Sequence, residues 1–148
     1  MTQRIVYTCP EENCLVVIEP AEEWTVQQVI EKDIPEGVTC TVIEESDLPS
    51  DRAFREAWTE EGPNAINEPL EACKEICHQK RRLCREAEFK PHDEVIMKQI
   101  PGADSANAEQ CRSEIREKYA VIQTRIDAAS DSEGLRVVLR ELGDETVR

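Results

Sequence analysis

Asp47-Leu48-Pro49-Ser50-Asp51-Arg52-Ala53-Phe54-Arg55-Glu56-Ala57-Trp58 is the stretch on which the reading of this chain turns. It holds one of two phenylalanines and one of two tryptophans in a sequence that is only 4% aromatic. If the segment is helical, their four-residue spacing puts both rings on one face. Leu48-Pro49 then leads into its first turn, and Arg52 and Arg55 face a strongly acidic neighbourhood. The stretch also marks a change of character, from short strand-like runs to long helical patterns. Phe54 and Trp58 are the first candidates for anchors, of a core or of an interface.

Working back from it, residues 4–8 and 15–18 read as two strands rich in β-branched residues. Cys9-Pro10-Glu11-Glu12-Asn13-Cys14 supplies turn residues between them, which predicts a β-hairpin. Thr25 is placed to cap a short helix over residues 26–32, with Val26, Val29 and Ile30 on one face. Asp33-Ile34-Pro35-Glu36-Gly37-Val38 stops it, and a third strand follows over residues 39–44. The expected product is a compact ββαβ module over residues 1–60, with one helix on one sheet face. A core of that size is only marginally stable alone.

Working forward, Glu60-Glu61-Gly62-Pro63-Asn64 has the composition of a hinge, assigned to residues 61–66. Residues 67–148 then read as a helical hairpin region. Asn67 is expected to cap its first helix, with Pro69 in the first turn and Pro91 as the stop after Lys90. Leu70, Cys73, Cys77, Cys84 and Ala87 form the apolar stripe, widened by Ile76 and Leu83 and interrupted by Lys80. A turn at Ile100-Pro101-Gly102-Ala103-Asp104 precedes a second helix, which carries Ala108, Cys111, Ile115, Tyr119, Ile122, Ile126 and Ala129 on one side. Ser130 and Glu133 suit a capping box for a last short helix bearing Leu135, Val138, Leu139 and Leu142. Two such helices pack antiparallel. A single seam cannot bury both stripes, so the last helix or a second copy of the chain must complete the core. The fold class expected is α+β. Leu70, Ile76, Leu83, Ile115, Ile122 and Ile126 join Phe54 and Trp58 as interface candidates.

The composition narrows the partner. Among 148 residues the formal net charge is −14, and residues 1–66 carry 15 acidic and 4 basic side chains. That balance argues against nucleic acid or anionic lipid as a direct partner and favours a protein surface. The longest apolar run, residues 14–18, is far too short to span a bilayer. No charged start followed by an apolar stretch reads as a secretory signal, so synthesis in a reducing cytosol is expected.

Seven cysteines cannot all pair within one chain. Cys73, Cys77 and Cys84 share a helix face, and Cys111 lies on the helix expected to oppose them. Three readings stand for these: buried core thiols, a disulfide between helices or chains, or a thiolate metal site. Metal is the weakest, because CxxC spacing is missing and Cys73 and Cys84 lie about 16 Å apart along a helix. Cys9 and Cys14 flank the hairpin loop, where a cross-strand disulfide and two thiols are equally open. His78 and His92 sit in no dyad spacing, and adjacent acids such as Glu22-Glu23 read as solvated surface. No HExxH, GxSxG or phosphate-cradling glycine loop is present. Lys80-Arg81-Arg82 with Arg85 reads as a solvated basic face without the interleaved aromatics of an RNA contact. No catalytic residue, metal or cofactor is therefore expected.

Several runs resemble those of a family. Ile5-Val6-Tyr7-Thr8, Asp33-Ile34-Pro35-Glu36-Gly37-Val38 and the whole 47–58 stretch are similar to small proteins encoded beside tail genes in tailed bacteriophages. So are Glu88-Phe89-Lys90-Pro91-His92-Asp93, Ile100-Pro101-Gly102 and residues 115–127. The resemblance covers most of the chain, while the seven cysteines depart from the pattern. It implies a non-enzymatic structural part of a virion tail, made in the host cytoplasm: an adaptor or hinge joining tail fibre and baseplate components. Other tail proteins would be its partners, with self-association through the helical region. Two alternatives stay open, a tail or tail-fibre assembly chaperone absent from the mature virion, and an acidic inhibitor of a host nucleic-acid-binding enzyme.

Overall fold

A computed structural model describes residues 2–49, 51–60, 66–99, 102 and 104–145. The chain is α+β and divides into two compact units, Met1–Pro69 and Leu70–Arg148. The hinge residues 61–65, and Ile100, Pro101 and Ala103 of the expected turn, lie outside the described residues.

In the first unit β1 (Gln3–Thr8), β2 (Leu15–Ile18) and β3 (Thr41–Glu44) form an antiparallel sheet in the order β2-β1-β3. The predicted hairpin is present. Thr8 faces Leu15 and Ile5 faces Ile18, and Asn13 closes the loop with a positive φ of 52° that asparagine tolerates. Helix α1 (Val26–Asp33) starts at a reciprocal capping box between Thr25 and Gln28, so two backbone donors that the helix itself cannot satisfy are paired. It crosses between the sheet's edge strands and lies against β1. Val29 is its buried residue.

Among the described residues of the 47–58 stretch there is no α-helix. Asp51 turns its carboxylate onto the Ala53 N–H at 2.8 Å, a local bond that competes with helical pairing. Short 3₁₀ turns form at Glu45–Asp47 and Arg55–Ala57. Phe54 (0% exposed) and Trp58 (6%) are nevertheless both buried. Leu48 and Trp58 pack on Val6 and Ile43, with Leu15, Val17 and Ile66 around them. Val6 and the fully buried Ile5 point to opposite faces of β1. The module is thus two-sided, where the sequence predicts one covered face.

A second small ladder extends this unit. β4 (Thr59–Glu60) pairs antiparallel with β5 (Ile66–Asn67), and Trp58 Nε1–H donates to Glu68 Oε1 at 2.9 Å. Asn67 is therefore a strand residue, not the expected helix cap.

The second unit is a three-helix bundle. α2 (Leu70–Lys98) and α3 (Ser105–Ala128) form the antiparallel hairpin, and α4 (Ser132–Glu145) packs mainly on α2. Antiparallel register is fixed at both ends. Lys74 Nζ donates to the Asp127 carbonyl at 3.0 Å, and Asp93 pairs with Arg112 at 2.9 Å. α2 runs through Pro91, which was expected to end it. Pro91 and Ala87, whose carbonyl loses its partner, are both exposed, so water can take the missing donor's place. The ion pair of Asp93 ties the extension to α3.

The buried stripe of α2 is Cys73, Cys77, Arg81 and Cys84. Leu83 (64% exposed) and Ala87 lie outside it, contrary to the expected stripe. On α3 Ala108, Ile115, Tyr119, Ile122 and Ile126 are buried as the periodicity predicts. α4 is capped by Asp131, whose carboxylate accepts from Gly134 N–H at 2.9 Å, rather than by Ser130. Glu133 pairs with Arg136 instead. Leu135, Val138 and Leu142 of α4 are buried, so this helix supplies the second seam that the hairpin lacks.

Candidate functional site

In the first unit a groove of about 450 Å³ runs along β2. One wall is Cys14 and the β2 residues Leu15, Val16 and Val17. The other is built by Leu48, Arg52, Arg55, Glu56 and Trp58, with Arg4 and Glu19 at one end.

The direction of the β2 backbone follows from the pairing. Cys9 N–H donates to the Cys14 carbonyl at 2.8 Å, so the facing pairs Cys9–Cys14, Tyr7–Val16 and Ile5–Ile18 are the hydrogen-bonded ones. Thr8–Leu15 and Val6–Val17 alternate with them. The N–H and C=O groups of Leu15 and Val17 therefore turn away from β1, to the sheet's open edge. β3 confirms this phase on the other side of β1, where Glu45 N–H donates to the Thr2 carbonyl at 2.9 Å.

The electrostatics of the groove differ from those of the unit around it. Arg4, Lys32, Arg52 and Arg55 are the four cationic side chains of residues 1–69, and three of them line it. Arg4 is 4% exposed and is held by Glu19 at 3.0 Å and Glu45 at 3.2 Å. Both carboxylates remain in water, so the pair orients Arg4 without burying two opposed charges. Arg52 and Arg55 are exposed and make no ion pair among the described residues. Both line the groove beside Glu19 and Glu56, and Arg52 also borders a neighbouring hollow with Glu44 and Glu45.

Cys14 also lines the groove. Its thiol is pushed above the ordinary value by partial desolvation, and then by its hydrogen bond to the Glu12 carboxylate at 3.5 Å. A thiol held protonated is a poor nucleophile. Among the described residues no disulfide is present, at Cys9 and Cys14 or elsewhere.

The helical unit gathers its sulfurs for packing. Cys77 Sγ–H points to the Leu135 carbonyl at 3.7 Å and Cys84 Sγ–H to the Leu142 carbonyl at 3.6 Å, both on α4. Burial pushes the Cys77 thiol up to about 11, with Cys73 adding repulsion. Cys111, expected to oppose these residues, is next to Arg112, which meets Asp93. That places it near Pro91 and His92, seven and eight residues or about 11–12 Å beyond Cys84 along α2. No group of three or more metal-ligating side chains occurs among the described residues.

His78 bridges α2 and α3. Its Nε2 lies 2.9 Å from Asp127 Oδ1, and its Nδ1 accepts from Arg81 Nε–H at 3.3 Å. A neutral ring with its proton on Nε2 satisfies both contacts. The basic run of residues 80–85 is dispersed. Arg81 is buried, Arg82 pairs with Glu75 at 3.0 Å, and Arg85 lies over the Phe89 ring at 5.1 Å.

Of the interface candidates, Phe54, Trp58, Ile115, Ile122 and Ile126 are buried within their own units, Leu70 and Ile76 are half-buried, and Leu83 is exposed. No helix among the described residues is long and apolar enough to cross a membrane. No family model, curated protein or solved structure matches the chain.

Proposed function

We propose that the chain is a non-enzymatic connector that holds a neighbouring polypeptide through each of its two units. Its phage-tail setting rests on the sequence resemblance, which implies an adaptor between fibre and baseplate components. The connector character rests on geometry, and one observation carries it. The groove along β2 is open and lies at a sheet edge, rather than forming an enclosed cleft with a positioned nucleophile and base. A strand edge is a surface for polypeptide.

The second unit offers less. α4 supplies the seam that would otherwise invite a second copy, so self-association loses its main motive. What remains is one flank of α2 carrying Ile76, Leu83 and Ala87 at helical spacing. Cross-linking mass spectrometry of purified particles tests the proposal. The expected result is that the chain is present and that its two units cross-link to different neighbours. Presence with tail parts in lysate but absence from finished particles would move the reading to an assembly factor. A monomer that reaches no other tail protein overturns it.

A further inference from the structure

We propose that the groove receives an extended segment of a partner chain, added as a strand to the open edge of β2 with a carboxylate seated at Arg52 and Arg55. The inference deepens the connector reading and rests on it, since it says what the first unit holds.

Three observations converge. The outward N–H and C=O groups of Leu15 and Val17 form a short open ladder in the groove wall. Leu15, Val17, Leu48 and Trp58 give the groove an apolar floor for the alternate side chains of an incoming strand. Arg52 and Arg55 stand along the opposite wall with no ion pair among the described residues. Guanidinium groups recognise carboxylates through two parallel donors, which fixes the register of the guest strand.

The surrounding charge sets the guest's composition. Residues 1–66 carry 15 acidic side chains against 4 basic ones, so a polyacidic segment would be repelled as it approached. Beyond about 8 Å that repulsion is screened at physiological ionic strength, while a guanidinium and a carboxylate in direct contact are screened less. The segment that fits is therefore mostly apolar and carries a single acidic residue.

The test uses the full chain and a fluorescein-labelled six-residue peptide of alternating valine and threonine with one central glutamate. Fluorescence anisotropy should show this peptide binding about tenfold more tightly than its glutamine counterpart, and the lysine counterpart failing to bind. Arg52→Ala with Arg55→Ala should abolish the preference for glutamate and leave the circular dichroism unchanged, because both side chains are exposed. Two further peptides, N-methylated on alternate sets of residues, report the added strand. One set should bind and the other should not, since only one set of N–H groups faces β2. Equal binding of both sets, equal binding of the glutamine or lysine peptides, or no binding at millimolar peptide overturns the proposal. The measurement needs no particle, so it can fail while the connector role stands.

Discussion

Phe54→Ala should unfold the first unit and spare the second. The ring is 0% exposed, so its removal loses the transfer free energy of the side chain and leaves a cavity, together about 3–5 kcal/mol. A unit of this size has a total stability of only about 3–10 kcal/mol. The substitution thus takes from a third to all of it. With a denaturant slope of about 1 kcal/mol/M, the urea midpoint should fall by about 3 M or more. The chain carries its own two reporters. Trp24 and Trp58 are the only tryptophans and both lie in the first unit, so fluorescence follows that unit. Helical ellipticity is dominated by α2, α3 and α4, of 29, 24 and 14 residues, against 8 in α1. The expected result is a fluorescence transition moved to low urea over an unmoved ellipticity transition. If both move together, the chain unfolds as one body and the argument from two separate cores is wrong. If neither moves, Phe54 is not a core residue.

Three other outcomes are expected. In folded protein at pH 8, iodoacetamide should modify the half-buried Cys9, Cys14, Cys40 and Cys111 before the buried Cys73, Cys77 and Cys84; early labelling of Cys77 in peptide mapping would refute its burial. Because the fold raises the Cys77 thiol from about 9.0 to about 11, its contribution is complete below pH 9 and lost as pH rises through 11. The ellipticity midpoint should therefore fall between those values, and fall less in Cys77→Ala; identical slopes would dismiss the effect. Pro91→Ala restores a donor to the exposed Ala87 carbonyl and should stabilise the helical unit by about 1–3 kcal/mol in urea titration. A loss of stability would mean that α2 ends where the sequence predicts.

The elements legible in the sequence are those fixed by local chemistry and strong periodicity. The hairpin at residues 4–18, the Thr25 cap and the Ile115–Ile126 stripe each follow from a few neighbouring residues. The errors arise where long-range packing decides. Pro91 is a helix stop by its own chemistry, yet α2 continues to Lys98 along α3, with Asp93 paired to Arg112. Phe54 and Trp58 have helical spacing, but the Asp51 turn interrupts it; Trp58 packs on the sheet face and Phe54 is buried without a helix. Arg81 occupies the stripe position that Lys80 and Leu83 obscured, because α4 packs where a hairpin alone would leave solvent. The groove was invisible for the same reason. It joins residues 14–19 to residues 48–58, and the phase of the β2 backbone is set by the register of the whole ladder.

The composition of β2 gives the open edge its meaning. Natural sheets blunt exposed edges with charge, proline or a bulge, because an uncharged edge recruits strands indiscriminately. Leu15-Val16-Val17-Ile18 has none of these within it; Glu19 and Pro20 come only after its end. The 48–58 stretch stands beside the edge without pairing to it, so it limits approach while leaving the hydrogen-bonding groups of Leu15 and Val17 available. Within the screening distance of about 8 Å the acidic excess opposes a second copy of the same anionic unit. Arg52 and Arg55 then supply the one local attraction in an otherwise repulsive surface. Acidity spread for solubility alone would not require the few cations of the unit to gather at its unprotected edge.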